Sequence, residues 1–177
     1  MNMTIDPSHS NIEFAVRHMA IATVRGRFKN LTGTIEMAED GSLTGVDAVI
    51  EASSIDTSES NRDAHLRSPD FFDADTYPEL RFKSTAIEAT AEGSYRVVGD
   101  LTMHGQTRPV TLAVETSSPI TDPWGNKRAA AQATGKLNRK DWGLTWNQVL
   151  EMGALLVSEE VRFNFDVQAV APQAVTA

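Results

Sequence analysis

The sequence has 177 residues, no cysteine and a formal net charge of −8 at pH 7, with 41% hydrophobic and 23% charged residues. This length and composition favour one soluble globular domain, and the lack of cysteine excludes a disulfide framework, a thiolate zinc site and a cysteine nucleophile. The acidic balance argues against binding to nucleic acid and against docking on anionic membrane surfaces.

Neither end of the chain has a pattern that predicts a targeting signal. No apolar run approaches the roughly 20 residues that a membrane-spanning helix needs, so we expect no stable membrane insertion. The first residues contain neither the basic nor the apolar region of a signal peptide, which predicts a cytoplasmic protein. We expect a single domain over residues 1–170 and a flexible tail over 171–177.

Alternation of apolar and polar residues with period two dominates the chain. The first strand places Phe14, Val16 and His18 on one face. After a second run the pattern shifts phase by one residue at Lys29 and Asn30, which predicts a β-bulge or bend. About eight such strands, joined mostly by short turns, predict an all-β fold. Closing this antiparallel sheet into a barrel would remove its exposed edges.

The longest connection interrupts the strands with a different pattern. Its composition predicts a short helical connection near residues 58–72, with Ser58 or Ser60 as N-cap. Phe71 and Phe72 follow as an exposed-looking aromatic pair. A connection of this length usually covers or closes something, so we expect it to act as a lid or an interface. A second irregular stretch is expected at residues 141–154.

The inward faces of the predicted strands mix large apolar residues with glycine and alanine. Small barrels alternate large and small side chains to fill their interior, so a packed core is one interpretation. The other is an elongated apolar tunnel, in which small residues such as Gly99 leave space for a chain. Each buried methylene would contribute about 0.8 kcal/mol to binding such a chain.

The chain resembles the YceI-like family of polyisoprenoid-binding, lipocalin-like proteins in an ordered set of motifs spread from Ile5 to Val170. The motifs are FAVRHM (14–19), GRF (26–28), SIDT (54–57), RDAHLRSPDFFD (62–73), YPELRFKS (77–84), GDLTMHG (99–105) and LNRKDWGLTWN (137–147). The resemblance implies an extended eight-stranded antiparallel barrel with lipocalin-like topology. It also implies a long pocket that holds an isoprenoid quinone or another long-chain amphiphile, and a homodimer.

The candidate ligand-binding residues are the inward positions and the polar residues near the expected mouth: Phe14, Val16, His18, Val24, Phe28, Ile35, Ile50, Phe82, Gly99, Leu101, Leu112, Arg139, Trp142, Trp146 and Phe163. A second set belongs to the long connection and is predicted to form a lid or an interface: Arg62, His65, Leu66, Phe71 and Phe72. No catalytic residue is assigned.

The polar residues have simpler explanations than catalysis. The histidines lie on separate elements without ligand spacing, so no metal site is predicted. There is no Gly-x-Ser-x-Gly nucleophile motif. Two roles are open for Arg62, Arg67 and Arg139. They either fasten the connection by pairing with nearby aspartates (Asp63, Asp70 or Asp141), or donate hydrogen bonds to a quinone carbonyl or a phosphate head group.

We therefore predict non-enzymatic binding or carrying of a long-chain isoprenoid or similar amphiphilic lipid in the barrel interior. No cofactor is required, and a bound polyisoprenoid or quinone-like lipid is expected. Two alternatives remain: an enzyme that acts on such a lipid as a hydrolase or isomerase, and a stress-related interaction scaffold.

Overall fold

The computed structural model describes residues 1–150 and 155–172. In these residues the chain forms one α-helix, α1 (Ser60–Arg67), and short 3-10 helices at Pro7–His9, Ala52–Ser54 and Arg139–Trp142. The strands are β1 (Asn2–Ile5), β2 (Asn11–His18), β3 (Ala22–Phe28), β4 (Leu31–Met37), β5 (Leu43–Glu51), β6 (Ile55–Asp56), β7 (Glu79–Ala91), β8 (Ser94–Met103), β9 (Gln106–Thr116), β10 (Ile120–Thr121), β11 (Lys127–Asn138) and β12 (Glu160–Ala171).

The strands close into an antiparallel barrel with eight wall positions. Three positions are each shared by two strands that a kink separates: β1 with β2, β4 with β3, and β5 with β6. The other five are β7, β8, β9, β11 and β12. Pairing of β11 with β12 along their full lengths closes the wall. The predicted all-β, eight-stranded antiparallel barrel is therefore confirmed.

The kinks lie where the local sequence cannot continue a flat strand. Pro7 has no N–H to donate, and the 3-10 turn it begins is capped by Asp6, whose carboxylate accepts a hydrogen bond from the Ser8 N–H. The break between β3 and β4 falls at Lys29 and Asn30, at the predicted phase shift. Each kink bends the wall, so the long strands can wrap around one interior.

The connection between β6 and β7 contains α1, as the sequence predicted. The helix begins after Glu59, whose carboxylate accepts hydrogen bonds from the backbone N–H groups of Asn61 and Arg62. The predicted serine N-caps are therefore wrong. Ser58 has a φ of 63°, and Ser60 already lies inside the helix, whereas the longer glutamate side chain reaches two free N–H groups. In the described residues β6 pairs only with β3, and α1 packs beside it.

The C-terminal strand extends one residue beyond the predicted domain boundary. Ala171 belongs to β12, is buried and pairs with Lys127. The rest of the predicted tail, from residue 173 onward, lies outside the described residues. Of the second irregular stretch, residues 141–150 are described and 151–154 are not. The described part is irregular after the 3-10 helix, as predicted.

Candidate ligand cavity

The inward faces of the barrel strands enclose one elongated cavity with a volume of about 370 Å³. Its wall includes residues from both ends of the barrel, from Ile5 on β1 to Val157 near the start of β12. Nearly all wall side chains are apolar, because the period-two pattern sends every second residue of each strand inward. The side chains inside the barrel thus form the hydrophobic core and also leave an apolar cavity between them.

The structure brings most of the predicted site residues together on this wall. The predicted ligand-binding residues that line the cavity are Phe14, Val16, His18, Val24, Phe28, Ile35, Ile50, Phe82, Leu101, Leu112, Arg139, Trp146 and Phe163. All residues of the predicted lid also line it: Arg62, His65, Leu66, Phe71 and Phe72. Phe71 is only 6% exposed, so its ring is unavailable for a contact between two subunits.

Two predicted residues do not line the cavity. Trp142 is buried in the protein, where its indole Nε1 donates a hydrogen bond to the Leu101 carbonyl at 2.9 Å. Gly99 is covered by the ring of Phe82, and a Cβ atom there would also lie 2.6 Å from the Lys83 carbonyl oxygen. The expectation that Gly99 leaves space for a ligand is therefore wrong, because a phenylalanine ring already fills that space.

The same arrangement recurs at three wall glycines. Each lies against the phenylalanine ring of a neighbouring strand, and any side chain there would collide with the ring: Gly26 with Phe14, Gly99 with Phe82, and Gly135 with Phe163. All three phenylalanines line the cavity. The glycines let large rings lie close to the sheet. The three glycines thus accommodate phenylalanine rings. The small residues that line the cavity directly are Ala48, Ala131 and Ala133.

Some wall residues were not among the predicted site residues. Leu156 and Val157 come from the irregular segment before β12, and Thr57 from the end of β6. No periodic pattern marks these positions, because they lie outside regular strands. Val46 on β5 was within reach of sequence reasoning, since it alternates with Ile50 on the same face.

The polar side chains of the wall all lie at one end of the cavity, which we call the polar end: His18, Thr57, Arg62, His65 and Arg139. Short contacts link this end together. The His65 ring lies 4.7 Å from that of Trp146, and His18 forms a β-bridge with Val157. Arg62 is an exposed residue on the wall, so the cavity reaches the protein surface here.

Arg139 is the most deeply buried charge of the polar end, with 4% of its surface exposed. Its guanidinium donates hydrogen bonds to backbone carbonyls: Nε to Ser158 at 2.9 Å, and Nη1 to Leu144 at 2.7 Å and Trp146 at 2.9 Å. Burial lowers the pKa of Arg139, and the charge of nearby Glu159 raises it. Arginine stays protonated in proteins, so this group remains a buried cation.

Arg62 and Asp63 lie side by side in α1 but bind the same threonine instead of each other. Arg62 donates from Nε to Thr57 Oγ1 at 2.7 Å and from Nη2 to the Thr57 carbonyl at 2.8 Å. The buried Asp63 carboxylate accepts from the Thr57 N–H at 2.8 Å and hydroxyl at 2.6 Å. Thr57 thus joins α1 to the end of β6.

The predicted pairing of the three arginines with aspartates is wrong among the described residues. Arg67 donates to the carbonyls of Ser53 and Ile55, and Arg62 and Arg139 also use oxygens other than carboxylates. Backbone carbonyls lie closer because the arginines hold irregular segments against the barrel. Asp70 instead bonds His65 Nε2 at 2.9 Å.

Aromatic rings and one cation close the wall beside α1. The Phe71 ring lies 5.1 Å from His65 and 5.3 Å from Trp146, measured between ring centroids. The Arg139 guanidinium lies 5.8 Å from the Phe71 centroid, within the range of a cation–π contact. Phe72 packs edge-on against Phe28 at 5.7 Å. The predicted lid is therefore a packed part of the wall.

Within residues 1–150 and 155–172, no three acidic or histidine side chains lie close enough together to hold a metal ion. The same residues contain no helix long and apolar enough to cross a membrane.

Residues 3–169 match the YceI-like domain. The chain belongs to the YceI-like family. The UPF0312 protein of Serratia proteamaculans is 39% identical over 138 residues, which cover 77% of this chain and 71% of that protein. The family assignment therefore rests on most of the sequence as well as on the fold.

Solved structures of other proteins share the barrel. Burkholderia cenocepacia BcnA superposes with a TM-score of 0.80 at 20% identity, covering 93% of this chain and 98% of that one. A polyisoprenoid-binding domain from Saccharophagus degradans, implicated in plant cell wall breakdown, gives a TM-score of 0.68 at 19% identity over 96% of this chain and 98% of that one. These likenesses show that the fold is shared.

Proposed function

We propose that this protein binds a long-chain amphiphilic lipid of the isoprenoid type, with its tail inside the barrel and its head at the polar end. The observation that carries the proposal is the elongated cavity inside the barrel, whose described wall is apolar along its length and polar at the end that reaches the surface. The Saccharophagus domain described as polyisoprenoid-binding has the same fold, which supports an isoprenoid ligand.

The size of the cavity suits a hydrocarbon tail. Small-molecule pockets have volumes of about 300–1,000 Å³, and the present cavity of about 370 Å³ lies in that range. A tail of about twenty carbons would gain roughly 16 kcal/mol by burial. That gain offsets an association cost of roughly 4–15 kcal/mol. Binding of the tail therefore needs no ion pair.

The polar end selects a head group that accepts hydrogen bonds. Arg62, Arg139 and His65 supply N–H donors on the wall, and neither arginine is within ion-pair distance of a carboxylate of the described residues. A quinone carbonyl or a phosphate oxygen would complement these donors. Such an oxygen would share these N–H groups with the protein oxygens that already accept from them.

The arrangement supports binding without chemistry. His65 Nε2 bonds Asp70 and His104 Nδ1 bonds the Trp142 carbonyl, and in the part of the chain that the structure describes neither ring is hydrogen-bonded to a hydroxyl that could act as a nucleophile. The buried carboxylate of Asp63 is held by Thr57. We therefore propose a carrier or binding protein in preference to a hydrolase or isomerase.

The direct test is extraction of freshly purified protein into organic solvent, followed by mass spectrometry. Two alanine variants on β11 give a matched pair, because Ala131 lines the cavity and its neighbour Ala130 is exposed on the opposite face. We expect Ala131→Phe to lose most of the bound lipid and Ala130→Phe to keep it. Equal lipid content in the two variants, or a wild-type protein that neither yields lipid nor binds a long-chain quinone, would contradict the proposal.

The homodimer and the cytoplasmic location stay predictions. Sedimentation velocity would measure the subunit number, and cell fractionation would measure the location.

A further inference from the structure

The hairpin of β2 and β3 runs past the start of β12 at the polar end, where Arg17, His18 and Met19 of β2 and its turn contact the segment of residues 156–158. In the described residues β12 pairs with β2 only as far as Ala15, and β6 pairs with β3 only at Arg27 and Phe28. Residues 16–26, which we call the rim hairpin, therefore pair mainly with each other. Its wall residue His18 lines the cavity, and the next residue, Met19, donates from its N–H to the Leu156 carbonyl at 2.8 Å.

The tip of the rim hairpin is apolar although it faces water. Ile21 is 80% exposed and Met19 is 44% exposed. The turn residues Met19 and Ala20 have φ values of 54° and 57°. Turns of this backbone shape favour Asn and Gly, so a polar or glycine tip would fit this backbone better. The exposed Val149 lies on the neighbouring segment, where it forms a β-bridge with Leu155.

The rim hairpin is also cationic in an acidic protein. Residues 14–35 contain Arg17, Arg25, Arg27 and Lys29 but no aspartate or glutamate, whereas the whole chain has a net charge of −8. Arg27 and Lys29 pair with Asp56. Arg17 and Arg25 alternate with the wall residues of their strands and therefore lie on the outer face. Neither is within ion-pair distance of a carboxylate of residues 1–150 or 155–172.

We propose that the rim hairpin docks on an anionic lipid bilayer, with Met19 and Ile21 entering the headgroup region and Arg17 and Arg25 facing lipid phosphates. Exposed apolar side chains flanked by cationic side chains bind the headgroup region of a bilayer. The apolar side chains are buried there, and the cations are attracted to anionic lipids. Docking in this orientation places the polar end of the cavity against the membrane. The inference goes beyond the proposed function. It depends on that function only for the statement that a ligand passes between the membrane and the cavity.

The charges favour a bilayer over a second copy of the chain. A two-fold contact through the rim hairpin would bring each patch against its own copy. Arg17 and Arg25 would then face like charges, which opposes association. An anionic bilayer instead complements both arginines and accepts both apolar side chains.

The opposite end of the barrel supplies a control surface. The turn between β10 and β11 also exposes large apolar side chains, with Ile120 at 65% and Trp124 at 77%. However, its arginine, Arg128, is in ion pairs with Asp6 and Asp122. This surface has a similar apolar exposure without the free positive charge.

The test is co-sedimentation of the full chain with phosphatidylcholine vesicles that either contain or lack phosphatidylglycerol. We expect binding to the anionic vesicles that weakens as salt is raised, because exposed charges are screened. Ile21→Ser should weaken binding about tenfold and Arg25→Ala about fivefold. The matched changes away from the rim hairpin are Trp124→Ser and Arg96→Ala, the latter at an exposed arginine near the start of β8, and both should leave binding unchanged. Met19→Ser is the second tip variant, should Ile21→Ser fail to fold.

Three outcomes would overturn the inference. They are wild-type protein that binds neither vesicle, loss of binding in Trp124→Ser equal to that in Ile21→Ser, and conversion of a dimer to a monomer by Ile21→Ser without vesicle binding. Lipid extraction separates this inference from the proposed function. Because Ile21 does not line the cavity, its serine variant should keep the bound lipid while losing the vesicles. An empty protein that still docks would contradict only the proposed function.

Discussion

The two ends of the barrel hold their buried or half-buried arginines with different partners. At the far end, Arg128 lies between two carboxylates, with Nε 2.8 Å from Asp122 Oδ2 and Nη1 3.3 Å from Asp6 Oδ2. At the polar end, Arg139 is surrounded by neutral backbone carbonyls. The arginine of the far end is therefore in direct ion pairs, whereas Arg139 has no carboxylate of the described residues within ion-pair distance and feels the charge of Glu159 only from further away.

Because of this difference, the charge of Arg128 has a structural role, whereas the charge of Arg139 can also attract a ligand. A guanidinium with two carboxylate partners has little attraction left for a third group. A guanidinium that is held only by carbonyls keeps its full charge while its position is fixed. The polar end thus combines a rigid donor with a positive potential, which is what recognition of an oxygen-rich head group requires. The predictions below test the two kinds of site, beginning with the largest effect.

Replacing Arg139 should produce the largest loss of stability. Arg139→Leu would leave the carbonyls of Leu144, Trp146 and Ser158 buried without their donor. An unpaired buried polar group costs about 1–3 kcal/mol, so we expect a total loss of about 3–5 kcal/mol in urea unfolding. Arg162→Leu, an exposed residue on β12, is the control and should change stability by less than about 0.5 kcal/mol. A similar loss in both variants would contradict the structural role of Arg139.

A side chain at Gly99 should destabilise the wall between the two ends. The Cβ atom of Gly99→Ala would lie 2.6 Å from the Lys83 carbonyl oxygen, so the backbone or the Phe82 ring must move. Overpacking of this kind costs about 1–3 kcal/mol, measurable by urea unfolding. Gly45→Ala is the matched control, because the three atoms nearest to its Cβ all belong to the Glu36 side chain, whose carboxyl end can move aside. Equal stability of the two variants would show that the wall is less tightly packed than described.

Removing the Thr57 hydroxyl should loosen α1 by a smaller amount. In Thr57→Val, Asp63 loses a donor and Arg62 Nε loses its acceptor. We expect a loss of about 1–2 kcal/mol in thermal or urea unfolding, with faster hydrogen exchange in α1. The exposed Thr107→Val serves as the control, with little expected change. Unaltered exchange in α1 would contradict the role of Thr57 in fastening the helix.

The far end should show the mildest effect, visible only in acid. Hydrogen bonding to Arg128 lowers the pKa of Asp122 from its ordinary 3.8 to about 2. A lowered carboxyl pKa stabilises the fold above pH 4, and this contribution is lost as the pH falls through about 2. Asp122→Asn should therefore reduce stability at neutral pH and flatten the loss of thermal stability between pH 5 and pH 2. Asp75→Asn, an exposed aspartate, should keep the wild-type profile.

Local patterns in the sequence were enough to predict the barrel and most of the cavity wall. The alternation of Phe14, Val16 and His18 needs only the geometry of one strand, and the bend at Lys29 and Asn30 needs only a change of phase. These features are determined within a few residues, so a single sequence reveals them.

Partners that meet across long sequence separations could not be predicted in the same way. The carbonyl partners of Arg139 come from two irregular segments, so the aspartates nearby in sequence were the wrong choice. We expected free space at Gly99 because the pattern of β8 alone does not show that the Phe82 ring of the neighbouring strand covers this position. Glu59 replaced the expected serine cap because the chain enters the helix with Ser58 in a left-handed conformation.

The rings that cover Gly26, Gly99 and Gly135 make the bore of the barrel depend on side chains; two of these rings, Phe14 and Phe163, are paired directly across β2 and β12. Rotation of a single phenylalanine about its χ1 angle would change the cross-section at its level and leave the hydrogen bonds of the wall intact. The backbone sets the length of the cavity, and these rings are part of what narrows it. For the proposed lipid ligand, movement of these rings would adjust the cavity to tails of different thickness without opening the sheet.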